Sequence, residues 1–105
     1  NLLVNAIQAM SSGGTLTIRT EQRQDEDLGA CAVAMVTDTG PGVCEAEQAR
    51  LFEPFYTTRA GGTGLGLFIS QKLIANHSGR IHVRSAPGKG CTFSVWIPLH
   101  RSMDE

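Results

Sequence analysis

Apolar residues recur at helical intervals in two stretches of the chain and follow strand patterns in four others, and these stretches outline the domain. In residues 1–10, NLLVNAIQAM, the side chains of Leu2, Leu3, Ala6, Ile7 and Met10 form one stripe without a breaker, which predicts a core-facing helix. A second helix is predicted behind a glycine run, where Leu65, Phe68, Ile69 and Leu73 recur at three- and four-residue spacing. It ends near His77-Ser78-Gly79, with Gly79 placed as the C′ residue. Residues 15–20 alternate at period two and predict a half-buried strand, whereas 31–37, CAVAMVT, is apolar on both sides and predicts a central strand. Ile81, Val83 and Ser85, then Phe93, Val95 and Ile97, alternate around a turn at 86–90 and predict a hairpin. Residues 21–29, EQRQDEDLG, read as a solvated loop, 45–50 as a short helix, 52–60 as a further loop and 100–105 as a polar tail. This order predicts an α+β two-layer sandwich, with helices on one face of a mixed, mostly antiparallel sheet.

Composition narrows the function classes. A chain of 105 residues is one small domain, able to bury about 65% of its unfolded surface. Nine basic and ten acidic residues give a formal charge of -1, so there is no electrostatic footprint for nucleic acid or an anionic membrane. Cys31, Cys44 and Cys91 are odd in number and lack C-x-x-C spacing, which argues against a disulfide framework or a zinc site and favours a reducing, cytoplasmic setting. No apolar run reaches the length of a membrane span. The chain opens at Asn1 inside a helical pattern, which reads as a fragment whose parent is free to be membrane-anchored.

Three features carry candidate chemistry. Gly61, Gly62, Gly64 and Gly66 precede a helix, and a glycine-opened helix N-terminus presents backbone N–H groups and the positive end of the helix dipole to an anion. A plain turn is the alternative. Asn1 and Asn5 stand four apart and share one helix face, either to direct two amides at one ligand or as an exposed polar face capped by Asn1. Asp38 closes the central strand before Thr39-Gly40-Pro41-Gly42. A carboxylate there recognises an exocyclic amine, binds a metal, or caps its own loop as an Asx turn. Arg59 is the only cation near the glycines. A Walker A loop is excluded, since the one Gly-Lys pair, Gly88-Lys89, is followed by Gly90. A dinucleotide fingerprint fails too, because the glycine spacing is G-x-G-x-G and the residues before it contain Pro54.

Five segments, in order, resemble the boxes of the ATP-binding domain shared by sensor histidine kinases, type II topoisomerases, Hsp90 and mismatch-repair ATPases, the Bergerat or GHKL superfamily. NLLVNAIQAM resembles its N box, DTGPG (38–42) its first glycine box, FEPF (52–55) its F box, GTGLGL (62–67) its second glycine box and GKGCTF (88–93) its last box. Position by position, the resemblance implies that Asn5 holds the Mg²⁺ bridging the phosphates of ATP and that Asn1 supports the phosphate side. It implies that Asp38 accepts the adenine amine with Thr92 joining through water, and that Gly40 and Gly42 admit backbone close to the base. Gly62, Thr63, Gly64, Leu65 and Gly66 would cradle the phosphates. Phe52 and Phe55 would anchor a lid, from which Arg59 reaches the γ-phosphate as a catalytic residue alongside Asn5.

One residue separates branches of that superfamily. Its hydrolytic ATPases carry a glutamate four residues before the metal asparagine, and Asn1 occupies that place with an amide that cannot take a proton. The resemblance therefore favours the histidine kinase branch, and the short lid resembles that of nitrogen-regulation-type sensors. It implies transfer of the ATP γ-phosphate to a histidine on a separate dimerisation domain, a response regulator as later partner and a homodimeric parent. His77, His82 and His100 lack an acceptor context and read as structural or surface residues. A nucleotide-switched binding module without phosphotransfer and a hydrolytic ATPase are the other readings. The family's first strand and first helix, upstream of the N box, are absent from residues 1–105.

Overall fold

The computed structural model describes residues 1–57 and 63–99. The apolar stripes become α1 (Leu2–Ala9) and α3 (Gly66–Asn76), and the alternating stretches become β1 (Leu16–Asp25), β2 (Gly29–Asp38), β3 (Arg80–Ser85) and β4 (Cys91–Pro98), with a single-turn α2 (Glu45–Gln48) between. The four strands form one sheet in the order β1-β2-β4-β3. Every pairing among the described residues is antiparallel, so the parallel component of the expected mixed sheet is not found. Strands β2 and β3 do run in the same direction, but β4 lies between them and pairs with both.

Register decides what each face carries. Ile18, Val36, Phe93 and Val83 stand side by side across the sheet, and the neighbouring row, Thr17, Thr37, Thr92 and Arg84, points to the opposite face. On the first face Ile81, Cys91 and Phe93 form the buried cluster, and Leu2 of α1, Leu67 of α3, Leu51 and Phe52 pack onto it. Both longer helices therefore lie on one face, in the two-layer arrangement expected. The other face is polar on the three flanking strands but carries Cys31 and Val33 of β2, 0% and 1% exposed. Trp96 stands there in the row of Val33, with the His82 ring edge-on at 5.9 Å and the Arg23 guanidinium 5.8 Å from its ring centre.

Two local expectations change. Residues 21–25 are strand rather than loop, and the hairpin turn shrinks to 26–28. The pattern hid this because Arg19, Glu21, Arg23 and Asp25 alternate with residues that are also polar, so an edge strand exposed on both faces shows no apolar period. Asp25 ends the strand by accepting the Asp27 and Leu28 N–H groups, both at 2.9 Å. At the end of α3 it is Ser78, not Gly79, that takes the left-handed conformation, φ 62°. Gly79 is needed for space instead, since a Cβ there would collide with the Trp96 carbonyl oxygen.

Leu3, Val4 and Ile7 on the outer side of α1, and Ile18 on the helix face of β1, are large apolar side chains left exposed, so Leu3 and Ile7 depart from the core-facing stripe expected of residues 1–10.

Candidate nucleotide site

A pocket of about 520 Å³ opens beside the apolar cluster, and Leu51, Leu67 and Phe93 of that cluster also line it. Five segments bring polar groups to it: α1 through Asn5 and Gln8, the end of β2 through Asp38, the following loop through Gly42, the loop after α2 through Tyr56 and Thr57, and the entry into α3 through Thr63, Gly64 and Gly66.

Asp38 is 4% exposed, in a row with Leu16, Cys91 and Ser85. Its Oδ1 accepts the Gly40 N–H at 2.8 Å, so the Asx turn forms, and no other hydrogen bond reaches the carboxylate among the described residues. The loop beyond it is fastened from below. The Val43 N–H donates to Ser85 Oγ at 2.8 Å, Ser85 Oγ donates to the Gly90 carbonyl at 2.6 Å, and Gln48 Nε2 donates to both the Val43 and Ser85 carbonyls. Gly42, φ 75°, packs so closely on Ala86 that a Cβ would meet its carbonyl oxygen. The first and last glycine boxes, far apart in sequence, are thus one packed unit around Asp38.

The start of α3 has no side-chain cap, so among the described residues its first N–H groups have no side-chain partner where Gly66 and Leu67 face the pocket. Asn1 is not among the residues lining the pocket. Its Nδ2 donates instead to the Gly66 carbonyl at 3.2 Å and to Ser70 Oγ at 3.1 Å, tying the start of α1 to the first turn of α3. Asn1 does stand at the N-cap position of α1, as the second reading has it, but its side chain makes no cap bond. Helix geometry sets this arrangement: Asn5 and Gln8, three apart, share the pocket side of α1, while Asn1 lies a turn earlier against α3.

Thr92 is not among the residues that line the pocket. Period-two alternation turns it to the polar face, where its hydroxyl is 2.9 Å from that of Thr37, and its neighbour Cys91 takes the place beside Asp38. Burial pushes the Cys91 thiol up to about 11, with the Asp38 carboxylate adding to the rise and a hydrogen bond with Ser85 opposing it. The thiol is neutral at physiological pH and a poor nucleophile.

Phe52 packs edge-on against Phe93, ring centres 6.3 Å apart, as a support under the pocket rather than as part of its lining. Gly40 and Leu65 are also outside the lining, and a Cβ on Gly40 would crowd the Ala9 carbonyl and Asp38 Oδ1, each 3.0 Å from where it would sit. The Phe55 N–H donates to the Gly64 carbonyl at 2.8 Å, which closes the two ends of the intervening loop on each other. Phe55 itself is 74% exposed with φ 68°. Arg59 and Gly62 lie outside the described residues. Sequence reasoning missed Gln8, Tyr56 and Cys91 of the lining. The spacing from Asn5 signals Gln8, the strand period signals Cys91, and Tyr56 carries no signal of its own.

Comparison with known proteins adds independent support. Residues 1–101 match the family model described as histidine kinase-, DNA gyrase B-, and HSP90-like ATPase. The signal transduction histidine-protein kinase AtoS of Escherichia coli (strain K12) is 42% identical over 100 residues, covering 95% of this chain and 16% of that protein. Among solved structures, the mycobacterial sensor histidine kinase MprB superposes with TM-score 0.77 at 31% identity, over 92% of this chain and 64% of that one. A nucleotide-free form of the catalytic domain of histidine kinase ThkA superposes with TM-score 0.74 at 35% identity, over 92% of this chain and 60% of that one. The chain therefore spans 16% to 20% of the first curated relatives it matches.

Proposed function

The chain belongs to the histidine kinase-, DNA gyrase B-, and HSP90-like ATPase family, and we propose that it is the ATP-binding catalytic domain of a sensor histidine kinase, transferring the γ-phosphate to a histidine carried elsewhere in the parent. One observation supports this above the rest: a buried carboxylate, the Asn5 side of α1 and an uncapped helix start with a glycine face all border one pocket.

Asp38 accepts hydrogen bonds only and leaves carboxylate capacity toward the pocket, so it selects a base with an exocyclic amine, as adenine has, over one presenting a carbonyl there. The apolar floor of Leu51 and Phe93 suits a flat ring, and the α3 N-terminus suits phosphate. No group of three His, Cys, Asp or Glu side chains among the described residues can hold a metal alone. That donor set fits Mg²⁺ only as a shared ion, with Asn5 as protein ligand and phosphate oxygens and water completing it. When bound it neutralises charge between the phosphates. The chain's own contribution is positioning and electrostatics: Asp38 fixes the base end, the α3 N–H groups orient the phosphates, and Arg59 extends that charge to the γ-phosphate. Asn1 carries an amide, which cannot take a proton from water, and this favours transfer over hydrolysis.

We assign the exposed strip of Leu3, Val4, Ile7 and Ile18 to contact with a preceding helix and strand of the parent, which would complete both layers. A response regulator would then receive the phosphoryl group, and the acceptor domain would dimerise the parent.

The test supplies the parent's acceptor domain with γ-labelled ATP and Mg²⁺. Label on a histidine is the expected result, and an unlabelled histidine with free phosphate released would overturn the reading in favour of hydrolysis. Asn5→Ala is expected to abolish the Mg²⁺ dependence of ATP binding in calorimetry; unchanged metal dependence removes that role from Asn5.

A further inference from the structure

The two edges of the sheet are protected differently. Along β1 the solvent-facing charges alternate in sign, Arg19, Glu21, Arg23, Asp25, and Glu21 pairs with both arginines beside it. Along β3 the same face carries Arg80, His82 and Arg84, with no carboxylate. β3 pairs with β4 alone among the described residues, so its outer row of N–H and C=O groups is open.

Beside that open edge lies a second pocket of about 290 Å³, between α3 and β3, lined by Gln71, Lys72 and Ala75 on the helix and Arg80, Ile81 and His82 on the strand. Its charged lining is wholly basic in a chain of net charge -1. Arg80 is partly neutralised by Asp25 and Asp27 across the sheet, at 3.7 and 3.1 Å. Lys72 has only the Phe68 ring, 5.3 Å away, and Arg84 has no partner among the described residues. Cations on an edge repel a basic strand and disfavour a neutral one, which would desolvate them without a counter-charge, and no bulge or proline blocks the edge as well.

We propose that the β3 edge and this pocket form a docking site for an extended acidic segment of a protein partner, which adds to the sheet as a fifth strand beside Arg80–Ser85. Strand geometry sets its pattern. Alternate side chains fall on the polar face, where carboxylates meet His82 and Arg84, and the others fall under α3, where small apolar groups meet Ala75 and Ile81. The backbone ladder supplies affinity, and the basic row supplies the preference for acidic residues.

The probe is a capped, fluorophore-labelled peptide of alternating glutamate and valine, about six residues long to match Arg80–Ser85, titrated into the protein with fluorescence anisotropy as readout. Saturable binding is expected, weakened about tenfold or more by Lys72→Glu with Arg84→Glu and equally by N-methylation of alternate peptide residues. ATP binding serves as the folding control, since neither residue lines the nucleotide pocket. Loss through charge reversal but not N-methylation would overturn strand addition. Equal binding by the variant, or equal affinity for a single-stranded oligonucleotide, would overturn the acidic-segment assignment.

Discussion

Asp38 and Thr92 show how much a single position depends on which face it occupies. Asp38 sits buried at the pocket with one oxygen already held by Gly40. Asp38→Asn replaces a charged acceptor with an amide that presents a donor toward the base amine, and ATP affinity is expected to fall by about 1–3 kcal/mol in calorimetry. Thr92 bonds with Thr37 on the opposite face. Thr92→Val is accordingly expected to leave ATP affinity within about twofold, because hydrogen bonds remote from a ligand carry little of its binding; a tenfold loss would return Thr92 to the site. Cys91 adds a pH dependence. Its unfolded thiol ionises near 9.0 and its folded thiol at about 11, so above pH 9 the unfolded chain sheds a proton that the folded chain keeps. Stability contributed by this group is complete below pH 9 and is lost as pH rises through 11. Urea midpoints of wild type and Cys91→Ser are expected to converge over that window.

At the level of elements, α1 and α3 are coupled through one exposed amide. Asn1 donates to the Gly66 carbonyl and to Ser70 Oγ, and Ser70 Oγ donates back to the same carbonyl at 2.9 Å. Asn1→Ala removes both donations and is expected to lower stability by about 0.5–1.5 kcal/mol in chemical denaturation. Because the α3 start borders the pocket, a parallel loss of nucleotide affinity is expected, and an unchanged affinity would show that α3 is positioned by its apolar face alone. The existence of both helices was legible from their stripes, since a 3.6-residue period survives any tertiary setting that buries one side. The length of β1 was not. Its outer half is polar on both faces, and what extends it is pairing with residues 29–33 of β2, a contact no local pattern records.

Across the whole molecule, core and site share side chains. Phe93 belongs to the buried cluster, supports Phe52 and floors the pocket. Phe93→Ala is therefore expected to cost about 3–5 kcal/mol of folding stability and to abolish measurable ATP binding together. Retained affinity in the folded fraction would show that the floor is set by backbone alone. The division between sequence and tertiary structure follows from range. Period and glycine spacing act within a few residues, so the chain by itself determined its helices, its hairpin and the five family boxes, and with them the ATP-binding family. Which oxygen of Asp38 is already taken, that Cys91 rather than Thr92 stands beside it, and that Asn1 serves α3 instead of the pocket were decided only when strands paired in register and helices met. Those outcomes rest on contacts between residues distant in the chain, and such contacts have no period to read.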